Sequence, residues 1–275
     1  MQRLTIVRIV LLLPLLIATV VASPIRLAAL AQDSHGTQSI RPLPENESFV
    51  KDTRENLVRS QRAQFNYAYK ERRTEFHANP FGRIGTGGIE GWEVTPIENG
   101  TVILRKLIER DGKRVADGEE DRIKVTEERR RKGRRSTMDD VMATLNFKMA
   151  RRDSVNGRDA IVFTFTPKPD AEPETREGRI AKSFSGSIWV DEVAREVIRI
   201  DAKAVDTISF GYGFIARLNE GSTVTLHREP IDGAPIWLPT SIRFAGEGRA
   251  LLLRKLNVDQ RIEWSEYRKV LNSGP

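Results

Sequence analysis

The sequence predicts an α+β fold that is mainly antiparallel β, in which one or two helices pack against a single curved sheet. From Gly91 onward, apolar and polar residues alternate in short stretches, which is typical of half-buried strands. The turn dipeptides Asn99-Gly100, Asp111-Gly112 and Asn156-Gly157 separate these stretches. Because parallel strands need crossover connections of a dozen or more residues, the short turns indicate antiparallel pairing of about nine or ten strands.

The chain begins with a segment typical of an export signal, which we place at residues 1–31. Arg3 and Arg8 give it a positive start, and Ile9–Ala22 is almost entirely apolar. Ala29-Leu30-Ala31 then forms a small-x-small cleavage site. We expect cleavage near Ala31 and a location in the periplasm or outside the cell. The alternative is an uncleaved anchor: the apolar core is short of the roughly 20 residues that span a membrane, but it nearly reaches that length when it is extended back through Arg8 to Leu4.

The chain contains no cysteine. This excludes disulfides, thiol nucleophiles and thiolate metal sites, as well as the lipid-anchored export route, which needs a cysteine directly after the cleavage site. The formal charge of +7 becomes +4 when Arg3, Arg8 and Arg26 leave with the signal. A mild positive charge suits anionic lipid or acidic partners. Since the protein is predicted to be exported, no nucleic-acid partner is expected.

The sequence holds no motif for catalysis or metal binding. The histidines His35, His77 and His227 are far apart and lack H-x-x-H or H-E-x-x-H spacing. No G-x-S-x-G motif occurs, and the glycines between Gly82 and Gly91 fit neither G-x-G-x-x-G nor a P-loop. The sequence therefore predicts a protein that is not an enzyme and that has no cofactor and no metal site.

The exported part is predicted to be one domain that opens with a helix. This helix begins near Asn46 or Ser48 and ends at about Phe65, because its apolar residues lie near helical spacing. The predicted segments are a flexible spacer at 32–45, a single domain at 46–270 and a tail at 271–275. The predicted strands after the helix include Trp92–Ile97 with Val102–Glu109, Phe147–Ser154 with Asp159–Thr166, Phe184–Val190 with Val197–Ala204, and Val224–His227, Trp237–Phe244 and Leu251–Tyr267.

A charged helical insertion at 117–146 is predicted to interrupt these strands. Pairs such as Glu127/Arg131 stand at i,i+4 with the acid first, which is the better orientation on a helix. A short second helix follows at Met138–Leu145. The basic run Arg129–Arg135 is either a solvated helix face or a docking surface for anionic lipid or an acidic protein partner.

The alternation along the strands also predicts a large apolar inner surface, because residues two apart share a face of a strand. The segment Ile208–Leu218 joins two strands and is strongly apolar, whereas connections are normally polar. It is therefore predicted either to pack into the core as a plug or to contact an apolar ligand. The predicted ligand lining is Phe163, Phe165, Ile188, Ile198, Ile200 and Phe244, with Phe210 and Phe214 as a lid.

One hairpin carries a family resemblance. Ser185-Gly186-Ser187-Ile188-Trp189-Val190-Asp191, followed by Glu196-Val197-Ile198-Arg199-Ile200, resembles the LolA/LolB-like periplasmic lipoprotein carriers and the related sensor RseB. The resemblance implies a curved half-open β-barrel of about 9–11 strands with one or two helices over its concave face. Blocks such as Asn66–Arg72 and Asp206–Gly211 resemble uncharacterised exported proteins of acidobacterial type even more closely.

These observations lead to two functional hypotheses. The first is a monomeric periplasmic carrier or binding protein for a lipid or acylated ligand, such as a lipoprotein, held in the apolar concave cavity. The second is an envelope sensor or scaffold that binds a protein partner through the charged segment Glu119–Arg135. The absence of a cysteine after the signal favours a carrier that is not anchored by lipid.

Overall fold

The computed structural model describes residues 41–78, 86–100, 102–116, 120–124, 140–210, 216–250 and 254–270. Helix α1 spans Asn46–Ala63 and helix α2 spans Arg176–Ala181, and residues 140–144 are also helical. The strands are β1 (Tyr67–Ala78), β2 (Thr86–Ile97), β3 (Val102–Arg110), β4 (Lys113–Arg114), β5 (Glu120–Lys124), β6 (Leu145–Val155), β7 (Arg158–Pro167), β8 (Phe184–Asp191), β9 (Val197–Ala204), β10 (Ile208–Phe210), β11 (Ala216–Leu218), β12 (Thr223–Pro230), β13 (Trp237–Ala250) and β14 (Arg254–Lys269).

All fourteen strands of the described residues belong to one sheet, ordered β4-β3-β2-β1-β14-β13-β12-β9-β8-β7-β6, and β5, β10 and β11 pair off this path. Every pairing between described strands is antiparallel, as predicted. The two ends of the order do not pair with each other, so the curved sheet is a half-open barrel. The number of strands is higher than the predicted 9–11 because the sheet also includes the short strands β4, β5, β10 and β11.

Helix α1 begins where the sequence predicts. Glu45 caps it, because its carboxylate accepts the backbone N–H groups of Glu47 and Ser48 at 2.7 and 2.6 Å. Such hydrogen bonds satisfy donors that have no partner inside the helix. A hydrogen bond with the Ser48 side chain, together with these backbone hydrogen bonds, lowers the pKa of Glu45. The helix gives way to a single 3-10 turn at Gln64–Asn66, after which β1 starts.

Two predicted hairpin turns have the expected backbone geometry. Asn156 and Gly157 have φ of 51° and 76°, and Asp111 and Gly112 have φ of 51° and 77°. Positive φ at both central residues is what a two-residue hairpin with the right-handed twist of its strands requires. Between β2 and β3 the predicted Asn-Gly turn is instead a 3-10 turn at Glu98–Gly100, in which Glu98 has the positive φ of 50°.

The prediction of a helical insertion at 117–146 is wrong for residues 120–124. They form β5, which pairs in register with residues 102–106 of β3. Pairing with β3 satisfies the backbone hydrogen bonds of these residues along an edge of the sheet. An i,i+4 ion pair would stabilise the alternative helix by only about 0.2–0.5 kcal/mol. The predicted second helix is present at 140–144, and β6 begins directly after it. The rest of the insertion, with Arg129–Arg135, lies outside the described residues, as do residues 1–40 and 271–275.

The face of the sheet that carries the main apolar cluster is called the inner face from here on. Helix α1 contributes Phe49, Val50 and Leu57 to this cluster. The sheet contributes side chains from β7, β8, β9, β12, β13 and β14. Its members include Ile161, Phe163, Phe165, Phe184, Ile188, Val190, Val197, Ile200, Ala202, Val224, Leu226, Ile242, Phe244, Ile262 and Trp264.

Gly186, in the hairpin that carries the family resemblance, is needed because β8 passes very close to its neighbours. A Cβ at this position would collide with the carbonyl oxygen of Asp201 and lie 2.9 Å from the ring of Phe165. We therefore expect Gly186→Ala to lower the free energy of unfolding by about 1–3 kcal/mol through overpacking. Urea denaturation measures this effect. Ser187→Ala, on the opposite face of β8, is the control and should change stability little; equal losses would contradict the explanation.

Candidate functional site

Five of the six residues predicted to line a ligand cavity lie together in the main cluster. Phe163, Phe165, Ile188, Ile200 and Phe244 are all buried there, and Phe163 is only 1% exposed. Helix α1 covers them. The ring of Phe49 in α1 stands 5.8 Å from the ring of Phe163, centroid to centroid. The helix thus occupies the space over the face to which the sequence assigns a ligand.

Ile198 lies apart from the other five. It belongs to a separate cluster with Ala160 and Trp237. The reason is a β-bulge: Trp189 pairs with Arg199, but the next residue pairs with Val197, so Ile198 is left between them. One extra residue reverses the faces of a strand from that point on. Val197 consequently enters the main cluster and Ile198 leaves it.

The structure describes only the two ends of the apolar segment Ile208–Leu218, which contains the predicted lid. Phe214 lies outside the described residues, and Phe210 is the last residue of β10, whose backbone pairs with β11. Ile208 and Leu218, which bound the apolar segment, are 3% and 5% exposed and belong to the main cluster. The ends of the segment therefore pack into the core.

A buried polar network fastens the C-terminal half of α1 to the sheet. Ser60 donates to the Glu196 carboxylate at 2.6 Å and accepts the backbone N–H of Trp237 at 3.1 Å. Arg228 of β12 donates to Glu196 at 3.2 Å and to the Trp237 carbonyl at 2.5 Å. Arg59 adds a longer ion pair to Glu196 at 3.8 Å. We call Ser60, Glu196 and Arg228 the latch.

Burial governs the charges of the latch. Glu196 is 1% exposed and Arg228 is 4% exposed. Loss of solvation raises the pKa of Glu196, against the opposing effects of Arg228 and Ser60. The same loss of solvation lowers the pKa of Arg228. Each charge therefore depends on its partner, and the pair ties the position of α1 to β9 and β12.

A small cleft lies beside the latch, between α1 and the sheet. Its volume is about 30 Å³, and Leu57, Gln61, Leu226 and Leu238 are among its lining residues. Pockets for small-molecule ligands typically have volumes of about 300–1,000 Å³. With α1 in this position the cleft is too small for an acyl chain.

The β8–β9 turn holds the middle and the N-terminal part of α1. Asn56 donates to the carbonyl of Ala194 at 2.9 Å, and the Arg195 guanidinium lies over the Phe49 ring at 4.2 Å. Next to this turn, Arg152 makes a bidentate ion pair with Glu192 at 2.7 and 2.8 Å. Its hydrogen bonds lower the pKa of Glu192. These contacts seat the helix at both ends.

The inner face becomes polar where it reaches β1, β2 and β3. Glu71 of β1, which is 1% exposed, accepts Arg105 of β3 at 2.7 Å, Trp264 of β14 at 3.2 Å and Arg73 at 3.4 Å. The guanidinium of Arg105 also lies 4.6 Å from the centre of the Trp92 ring. We call Glu71, Arg73, Trp92, Arg105 and Trp264 the polar cluster.

Two tyrosines pack against the apolar part of the face close to the polar cluster. Tyr69 and Tyr267 have ring centroids 5.3 Å apart, and both pack against the main apolar cluster. Tyr69 also packs against the small cluster of Trp92, Val94 and Leu107. Burial raises the pKa of both phenols, so they stay neutral. The inner face is therefore continuous from apolar to polar.

The sequence analysis missed the latch and the polar cluster, although a signal for both exists. Glu71 and Arg73 continue the period of two set by Tyr67 and Tyr69. Arg228 likewise continues the period of Val224 and Leu226, which are buried. A charged residue in an inward position of a strand is therefore the sign of a buried polar network.

Two further properties concern only the residues that the structure describes. No three His, Asp or Glu side chains among them are grouped so as to hold a metal ion. No helix in this part of the chain combines the length and the apolar character that crossing a bilayer requires.

Comparison with known proteins finds similarity to solved structures only. No protein-family model and no curated protein matches the sequence. The chain is similar to a DUF1329 family protein from Desulfovibrio piger ATCC 29098, with 16% identity, 82% of this chain and 95% of that chain covered, and a TM-score of 0.34. It is similar to a LolA superfamily protein from Nitrosomonas europaea, with 12% identity, 82% and 94% covered, and a TM-score of 0.35.

The chain is also similar to a solved structure of the complex of MucA and MucB from Pseudomonas aeruginosa, with 9% identity, 78% of this chain and 93% of that chain covered, and a TM-score of 0.29. The LolA superfamily and the RseB-related MucB are the kinds of protein that the resemblance predicts. Since the TM-scores are low, the similarity carries no argument about function. The closer likeness to exported proteins of acidobacterial type stays a prediction.

Proposed function

We propose that the protein is a non-enzymatic periplasmic carrier or binding protein that holds a lipid or an acylated ligand, such as a lipoprotein, on its inner face. The observation that carries the proposal is that the large apolar inner face packs against helices: Phe49, Val50 and Leu57 of α1 belong to the main cluster, together with residues of α2 and of the helical segment 140–144. Water penalises such a surface by roughly 25 cal/mol per Å². A helix seated on it can be exchanged for an acyl chain without breaking the sheet. The export signal at 1–31 supports a location in the periplasm or outside the cell.

The energies of this exchange are comparable. Phe49, Val50 and Leu57 of α1 are buried against the sheet. Each such side chain contributes roughly 1.5–3 kcal/mol by burial. An acyl chain gains about 0.8 kcal/mol for each CH₂ that it buries. A chain of roughly six to eleven methylene groups would therefore offset the loss of α1, so long-chain ligands should bind and short ones should not.

Weakening the seat of α1 should strengthen ligand binding. We expect Phe49→Ala to bind a fluorescent 16-carbon fatty acid at least about tenfold more tightly than the wild type, because each 1.4 kcal/mol removed from the closed state is a factor of ten. Fluorescence titration of the exported chain measures this affinity. Glu55→Ala, at an exposed position of the same helix, is the matched control. Unchanged affinity in Phe49→Ala, or no binding by any of the three proteins, would contradict the carrier function.

The second candidate function is an envelope sensor or scaffold that binds a protein partner. Strand β6 favours it, because within the described part of the chain β6 pairs with β7 alone and ends the sheet. A strand at a sheet edge can accept a strand from a partner. The basic run Arg129–Arg135 would supply a further docking surface. Native mass spectrometry of the purified protein separates the two functions: copurified lipid supports the carrier, whereas an empty protein with a specific bound partner supports the scaffold.

A further inference from the structure

The polar cluster shares the inner face with the apolar cluster. In the register of the sheet, Glu71 stands between Trp92 on β2 and Trp264 on β14. Arg73 stands next to Ile262 on β14. Residues paired in this way project to the same side of a sheet, and Ile262 and Trp264 belong to the main apolar cluster. A ligand lying on the inner face could therefore contact both regions at once.

Several hydrogen-bonding atoms in and beside the polar cluster have no partner among the described residues. Arg73 Nε, Trp92 Nε1 and Arg110 Nη2 are buried donors without a hydrogen-bond partner among the described residues, and Gln260 Oε1 is an acceptor in the same state. Arg73, Trp92 and Gln260 are 7%, 4% and 3% exposed. A buried donor without a partner destabilises the folded state. Because donors outnumber acceptors, the missing group is one rich in acceptor oxygens.

The guanidinium of Arg73 is the charged group through which the cluster could bind an anion. Glu71 lies between the guanidiniums of Arg105 and Arg73 and is closer to Arg105, at 2.7 Å against 3.4 Å. The other carboxylates along the same face are Glu75, which accepts Gln260 at 3.0 Å, and Glu90, which stands opposite Arg73 in the register and lies 3.9 Å from Arg110. Arg73 is thus the guanidinium least engaged with Glu71. A hydrogen bond from Arg73 to an oxyanion would be charge-assisted and therefore strong.

We propose that the polar cluster binds the oxyanion of an amphiphile, a phosphate or a carboxylate, while the acyl part of the same ligand lies on the apolar region of the inner face. The acyl half of this statement rests on the proposed function, whereas the oxyanion half rests on the polar cluster alone. Arg73 Nε and Trp92 Nε1 are the donors to the oxyanion. Glu71 holds Arg73 and Arg105 in place.

Three probes separate the parts of the proposal: dodecyl phosphate, dodecanol and inorganic phosphate. We expect the wild type to bind dodecyl phosphate at least about tenfold more tightly than dodecanol, because a hydrogen bond to a charged group contributes about 1.5–3 kcal/mol. In Arg73→Gln this preference should disappear while the affinity for dodecanol stays the same. Calorimetric titration of the exported chain measures all three affinities. Arg261→Gln, a change to an exposed arginine of β14, is the matched control.

Trp92→Phe tests the site by removing a donor that has no described partner. An aromatic ring is kept, but the smaller phenyl group leaves part of the buried indole volume empty. We expect some loss of stability in the free protein together with a severalfold loss of the preference for dodecyl phosphate. A purely structural role of Trp92 would leave the preference intact.

The outcomes distinguish the two proposals. If dodecanol binds but dodecyl phosphate binds no better, and Arg73→Gln changes nothing, the oxyanion site is overturned while the carrier function stands. If inorganic phosphate binds and requires Arg73 but dodecanol does not bind, the oxyanion site stands for a free anion and the carrier function is overturned. If none of the probes binds, both are overturned.

Discussion

Replacing Arg228 by methionine is expected to lower the free energy of unfolding by about 3–5 kcal/mol, because it leaves the buried charge of Glu196 without its partner. Glu196 is 1% exposed, and the only other cation described near it, Arg59, is 3.8 Å away on a half-exposed side chain. The hydrogen bond of Arg228 to the Trp237 carbonyl is lost as well. Urea denaturation at neutral pH measures the change.

The loss of stability in Arg228→Met should become smaller as the pH falls. Burial already raises the pKa of Glu196, and removal of Arg228 raises it further. A carboxyl group whose folded pKa lies above its unfolded value favours the folded state when it is protonated. Its contribution is therefore complete below the unfolded value and is lost as the pH rises through the folded pKa. The difference between Arg228→Met and the wild type should thus be smallest in mild acid.

Two further variants make the result specific to the buried pair. In the double variant Arg228→Met/Glu196→Leu no buried charge remains, so we expect most of the lost stability to return. Arg243→Met removes a bidentate ion pair with Asp259 whose arginine side chain is 50% exposed, and it should cost less than about 1 kcal/mol. Equal losses in Arg228→Met and Arg243→Met would show that the latch does not depend on burial.

Phe163→Ala is expected to cost about 3–5 kcal/mol, because it removes a buried ring and leaves a cavity under α1. Phe163 is 1% exposed and packs against Phe49. Large apolar cavities stay dry and accept apolar molecules. A bound acyl chain should therefore return part of the lost stability, since a ligand that binds only the folded state stabilises it. Thermal denaturation with and without a 16-carbon fatty acid measures both effects.

Phe76→Ala is the control for this prediction. Phe76 is 50% exposed, so its truncation should change the free energy of unfolding by less than about 1 kcal/mol and should give no rescue by fatty acid. Phe163→Asp tests the same position for function, because a carboxylate on the lining disfavours an acyl chain. A Phe163→Asp protein that folds normally and still binds lipid as well as the wild type would contradict the assignment of the lining.

Local sequence determined the parts of the fold that depend on near neighbours. Asn156-Gly157 and Asp111-Gly112 turn as predicted because few other residues tolerate positive φ. Helix α1 begins as predicted because its cap and its apolar spacing act within a few residues. The faces of β7 and β8 follow from alternation alone, which is why Phe163, Phe165 and Ile188 were placed correctly on the inner face.

The candidate site depended on contacts that span the chain. Residues 120–124 became a strand because the edge of β3 was available, which no feature of their own charge pattern indicates. Ile198 left the lining because of a bulge, and a bulge is visible only when two strands are paired. In both cases the outcome depends on pairing with another strand, so the periodicity of the segment itself could not predict it.

The sequence by itself determined an antiparallel sheet with an apolar inner face and an N-terminal helix, because turn chemistry and alternation are local properties of the chain. The tertiary structure decided what that face does. It seats α1 on the predicted lining, buries Glu196 against Arg228, and brings Glu71, Arg73 and Arg105 together on the polar region of the face. Charges that look solvated in an alternating strand are buried there because side chains of other strands pair with them.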